Sequence, residues 1–188
     1  MKPVIPILTI ILCVSLPLMA QDIELSMQPG YIDLDQIQIP NNADNVTEVD
    51  IGPGLINMIR QFSGENEEVK KKMEGFLSIR VKSFDIDEET TETIRPIMED
   101  IEKKLKKEKW EKLVRVKDGD EVTNVSIKYS KKGKMQGLLV MSLEPNVEAS
   151  FVNIVGAIDF NMLGDLGVDI NASAMDSLKQ SVKGKNKE

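Results

Sequence analysis

Four consecutive runs of the chain are strand-like in their mix of apolar and polar positions: Trp110–Lys117, Val122–Tyr129, Met135–Leu143 and Ala149–Ile158. A period of two puts every second side chain on one face of a strand. The separators are short and turn-like: Asp118-Gly119-Asp120, Lys131 to Lys134, and Glu144-Pro145-Asn146. Connections of that length join antiparallel neighbours, so the four runs predict a meander. Two further strands precede it. Val46–Ile51 alternates briefly before Gly52-Pro53-Gly54 breaks it, and Leu77, Ile79 and Val81 alternate with Ser78, Arg80 and Lys82 over about Phe76–Phe84.

Between these runs the period lengthens to that of a helix. Leu55, Ile56, Met58, Ile59 and Phe62 follow helical spacing, with Pro53 in the first turn and Ser63-Gly64 as the stop. A second short helix fits Glu65–Gly75. The best stripe is Ile94, Ile97, Met98, Ile101 and Leu105, with Asp87 placed to cap the helix that carries it. Pro96 inside that stripe predicts either a start near Thr93 or a kink. Strand, helix, strand, long helix, meander is an α+β order. It predicts a two-layer sandwich, mostly antiparallel, with the C-terminal four-stranded meander packed against two or three helices.

The first twenty of the 188 residues read as a separate object. Met1-Lys2 is followed by an apolar run over Val4–Met19 and a small exit residue, Ala20, which is the grammar of a secretory signal peptide cleaved after Ala20. Two prolines and its length argue against a membrane span. Leu12 in front of Cys13 argues against a lipid anchor. The expected organisation is a leader over 1–20, a polar segment over 21–45, one domain over 46–166 and a weakly ordered tail over 167–188. Periplasm or secretion is the expected compartment.

Composition then removes chemistry. There is no histidine, and the one cysteine, Cys13, lies in the leader. Serine or cysteine nucleophiles activated by histidine, histidine-ligated metals, thiolate zinc sites and disulfides are therefore excluded from the mature chain. The net charge is −7, one unit more negative without Lys2, which argues against nucleic acid as a partner.

Four stretches carry a resemblance: Pro29-Gly30-Tyr31-Ile32-Asp33-Leu34, Val49-Asp50-Ile51-Gly52-Pro53-Gly54-Leu55, Trp110 to Val116, and Ile154 to Phe160. In order and spacing the chain resembles domain-of-unknown-function family 4252, a family of small exported bacterial proteins, over about Gly30–Gly167. The resemblance implies a shared fold and brings no catalytic residue. Gly156, inside the last strand, is the position where a bulge or a close backbone approach is expected.

The remaining candidates are electrostatic. Asp33-Leu34-Asp35 and Asp85 to Glu89 lack the order of an EF-hand loop, and the second set suits a helix N-terminus. Gly64 is followed by Glu65, not by the lysine a P-loop needs. One tryptophan and two tyrosines leave little for a sugar cleft between paired carboxylates. Lysines are the exception. Lys103 to Lys134 holds twelve basic residues against five acids, whereas Asp22 to Glu68 holds ten acids and only Arg60. Helix-dipole pairing and a solvated hairpin explain much of this. The functional alternative is a patch of Lys128, Lys131, Lys132, Lys134, Lys112 and Lys117 for a protein partner or an anionic membrane surface. The methionines, Met58 among them, read as core fillers, and Trp110 as a core plug whose N–H finds a backbone partner. The sequence thus points to an exported non-enzymatic binding domain without a cofactor. An envelope sensor with a pocket between the long helix and the sheet is the alternative, ahead of a carboxylate-based hydrolase.

Overall fold

A computed structural model of the chain describes residues 25–64, 66–73 and 75–157. The expected leader over 1–20, the helical turn expected near Phe160–Leu166 and the tail 167–188 lie outside the described residues. Six strands are described: β1 Thr47–Ile51, β2 Phe76–Asp85, β3 Glu111–Asp118, β4 Glu121–Tyr129, β5 Met135–Glu144 and β6 Glu148–Gly156. The helices are α1 Pro53–Phe62, α2 Glu67–Met73 and α3 Glu88–Lys107. The strands form one antiparallel sheet in the order β1-β2-β6-β5-β4-β3. The meander is present as β3 to β6. The antiparallel β1–β2 pair, whose strands are joined through α1 and α2, extends the meander along β6 and completes a six-stranded α+β sheet.

Burial follows strand position. In β5, Leu139, Met141 and Leu143 point to one face and Leu138 and Val140 to the other, and all five are buried. A central strand covered on both faces reads as a near-continuous apolar run. The two edge strands carry charges instead: Glu48 and Asp50 on β1, Lys112, Arg115 and Lys117 on β3. Charged edges discourage pairing with another chain.

Helix α3 covers one face through Ile94, Met98, Ile101 and Leu105, which join Phe84, Leu139, Met141, Leu143 and Phe151 in one cluster. It begins at Glu88, capped by the Asp87 side chain, and runs on through Pro96 rather than starting near Thr93. At its other end Lys109 adopts φ +62°, the Lys109 N–H donates to Lys106 O and the Trp110 N–H to Leu105 O. That is a Schellman stop with its apolar clasp, since Leu105 and Trp110 both enter the core. Trp110 is the expected plug, but its indole N–H has no partner among the described residues, a correction to the expected backbone bond.

The polar N-terminal segment supplies part of this core. Ile32, Leu34 and Ile37 are at most 1% exposed, in a strap over Gly30–Ile39 that lies on the sheet beside α3. Asn153 of β6 holds it: its Oδ1 accepts the Ile32 N–H at 3.0 Å, and its Nδ2 donates to Gly30 O and Leu138 O. Arg80 clasps the strap from β2, donating to Asp35 at 2.7 Å and to the Tyr31 hydroxyl at 3.2 Å, and also pairs with Asp50 of β1. Burial works against the guanidinium charge, but the bond to Asp35 and the charges of Asp50, Tyr31 and Asp35 outweigh it and raise its pKa. Lys82 donates to Ile37 O alongside.

The opposite face buries Phe76, Val125, Ile127, Leu138, Val140, Val152 and Ile154, and α1 joins it through Ile56. Gly156 meets the expectation of a close approach. Its φ is +135°, and a Cβ there would lie 2.1 Å from Gly75 O, where the β2–β6 register shifts.

Candidate functional site

Strand direction decides which charges meet. β4 and β5 are joined by a tight turn, with Ser130 N–H donating to Lys134 O and Gly133 at φ +74°. That turn holds Lys131, Lys132 and Lys134 in solvent at one end of the sheet. Helix α3 ends at the same place: the Lys128 ammonium donates to Glu108 O, which ties the base of the hairpin to the helix terminus. The last turn and exit of α3 therefore bring Lys104, Lys106, Lys107 and Lys109, all exposed, to the hairpin. Cations there also answer the negative end of the helix dipole.

Five of the six sequence-predicted lysines share this end. Lys112, at the start of β3, is engaged: it pairs with Glu102 at 2.9 Å, and Asn124 donates to the other Glu102 oxygen at 2.7 Å. Lys128 is engaged as described. Lys131, Lys132 and Lys134 pair with no described acid and are the free charges. Lys117 stands apart. It lies opposite Val122 beside the Gly119 turn, five residues along β3 from Lys112, or about 17 Å. The lysines of the α3 exit take its place.

The other end of the strands is acidic. Asp85, Asp87, Glu88 and Glu89 gather where β2 passes into α3, and Glu144 and Glu148 flank the β5–β6 turn. A cleft of about 480 Å³ lies there between the strap and the first half of α3, lined by Gln36, Ile39, Asn41, Glu89, Thr93 and Ile97 among others. Among the described residues no three of His, Cys, Asp and Glu are grouped to hold a metal. Asp87 is occupied as the helix cap. Hydrogen bonds from Thr90, side chain first and then backbone, hold its carboxyl below the usual carboxylate range. A depressed folded pKa stabilises above the unfolded value of 3.8, and the contribution is lost as pH falls through the folded one. Asp87→Asn, which keeps the acceptor and removes the titration, is therefore expected to flatten the acid limb of the helical circular-dichroism signal. An unchanged limb would remove Asp87 from the acid response.

The seam between α3 and the central strands is filled by the side chains of the main cluster. Helix α1 departs from expectation. Its spacing reads as a core stripe, but only Ile56 is buried; Leu55 is 40%, Met58 47% and Phe62 81% exposed. At 100° per residue the apolar positions cover an arc of about 160°. The helix is seated on one margin of that arc, leaving the other margin in solvent. Met58 is thus no core filler. No described helix is long and apolar enough to cross a membrane.

A family model described as "Domain of unknown function (DUF4252)" matches residues 41–166, beginning just after the strap. No curated protein and no solved structure matches the chain.

Proposed function

The chain belongs to the DUF4252 family, whose description assigns no activity, and from that premise we propose that it is an exported, non-enzymatic binding domain whose basic end docks an anionic partner. The observation that supports this most is convergence. Two separate basic segments, the exit of α3 and the β4–β5 hairpin, arrive at one end of the sheet and leave seven lysines exposed there. A solvated face needs no such focusing; a field that steers and holds an anionic surface does. The signal-peptide pattern of Met1–Ala20 in the sequence supports export.

The sensor reading has less behind it. The seam where its pocket was expected is filled by Ile94, Met98, Ile101 and Leu105 against β5 and β6. A carboxylate hydrolase has less again, since Asp87 of the acidic end is committed to its helix.

The test is capture of the protein, as its own cell processes it, on immobilised polyglutamate over a salt series. Affinity is expected to fall steeply with salt. Each lysine near an anionic surface contributes about 1 kcal/mol, so Lys131→Glu, Lys132→Glu and Lys134→Glu together are expected to weaken capture about a hundredfold or more. Lys117→Glu, at the far end, is expected to stay within about threefold of the parent. Equal capture by the triple variant and the parent would end this reading.

A further inference from the structure

The exposed margin of α1 lies at the same end of the sheet as the lysines. β2 begins there, with Phe76 opposite Gly156, and β6 passes Val155 opposite Gly137, next to the base of the hairpin. β1 ends there with Ile51 opposite Ile79, and α1 follows after Gly52. The Arg60 guanidinium donates to Phe76 O at 3.0 Å, which fixes the last turn of α1, with Phe62, beside the start of β2. Leu77, 36% exposed, is the next residue of that strand. From β2 to β4 is three strand spacings, about 15 Å. One end of the molecule therefore carries both features: the apolar ridge of Leu55, Met58 and Phe62 on the α1 face of the sheet, and the lysines of the hairpin and, on the opposite face, of the α3 exit.

We propose that this end is a peripheral membrane face: the hairpin and α3-exit lysines meet anionic headgroups, and Leu55, Met58 and Phe62 enter the headgroup–acyl boundary of the same bilayer. The proposal deepens the anionic-partner reading and rests on it. Its chemistry is the combination the two features share. An amphipathic helix with an exposed apolar margin lies in a bilayer interface, and nearby cations add attraction to anionic lipid. A second copy of the chain is the poorer occupant, because packing α1 on α1 would bring two lysine clusters together. An acidic protein would answer the lysines and leave a phenylalanine that is 81% exposed unaccounted for.

The experiment uses the protein as its own cell processes it, sedimented with vesicles of phosphatidylglycerol and phosphatidylcholine, and with phosphatidylcholine alone. Binding is expected to the anionic vesicles only. Leu55→Ser, Met58→Ser and Phe62→Ser together are expected to lower that binding about tenfold while leaving its salt dependence and the polyglutamate capture unchanged. Phe62→Trp gives a direct reading, taken as the difference from the parent, whose own emission comes from Trp110. The introduced indole's emission shifts to the blue on binding and is quenched by brominated acyl chains. Vesicle binding by the serine variant equal to the parent's, or an introduced-indole emission unmoved in the bound state, would overturn insertion while the lysine reading stands. Polyglutamate capture without any vesicle binding would do the same. Failure of the parent to bind either probe would remove both.

Discussion

Asn153→Leu is expected to lower the unfolding free energy by about 3 to 5 kcal/mol, measured by urea unfolding at neutral pH. The side chain is fully buried and makes three hydrogen bonds, to the Ile32 N–H and to the Gly30 and Leu138 carbonyls. Leucine nearly conserves its volume, so no large cavity adds to the effect. What remains is one backbone donor and two acceptors that lose their partner inside a packed core. Each orphaned buried group costs about 1 to 3 kcal/mol, and partial entry of water keeps the sum over the three groups toward the low end, about 3 to 5 kcal/mol. Two of the three groups belong to the strap. The loss should therefore appear as early exposure of residues 30–39, read as faster amide exchange at Ile32 before the sheet itself opens. A loss under about 1 kcal/mol would mean that the strap is held by its apolar contacts and the Arg80 and Lys82 bonds without help from Asn153.

The role of Asn153 also marks where sequence reading stops. The meander and α3 were legible because strand-length apolar or alternating runs between turns, and the three- and four-residue stripe, are local patterns that burial enforces. Leu139, Met141 and Leu143 could only face one layer, and Ile94, Met98, Ile101 and Leu105 could only line one side of a helix. The strap has no such pattern. Tyr31-Ile32-Asp33-Leu34 is too short to show a period, and its place is fixed by a residue 121 positions away. A lone asparagine in an apolar strand, Phe151-Val152-Asn153-Ile154-Val155, was the one signal available. A buried polar residue there needs hydrogen-bond partners, and the strap supplies two of the three.

For the candidate site, the hairpin lysines were legible from their turn. Lys117 was grouped with them through nearness in sequence, although strand length carries it to the opposite end. Helix α1 misled in another way. An apolar arc of about 160° is wide enough to be buried from either margin, and only the Arg60 tether to Phe76 and the seating of Ile56 decide which.

Gly137→Ala carries the second large effect, about 3 kcal/mol, because β5 and the strap touch backbone to backbone at this position. A Cβ on Gly137 would lie 2.4 Å from Gly30 Cα and 2.8 Å from Gly30 O. Neither atom is the end of a flexible side chain, so the strain can be relieved only by moving strand β5 or lifting the strap. β5 is the worse choice, since it is bonded on both sides to β4 and β6. Lifting the strap breaks the same Ile32 and Gly30 bonds that Asn153→Leu removes. The two substitutions should therefore not add: the double variant is expected to fall short of the summed single losses by more than about 1 kcal/mol. Full additivity would mean that Gly137→Ala strains the sheet independently of the strap. The basic end supplies an internal control, because the β4–β5 turn is closed by its own bonds, the Ser130 N–H donating to Lys134 O and the Lys134 N–H to Ser130 Oγ. Polyglutamate capture by folded Gly137→Ala should match that of the parent.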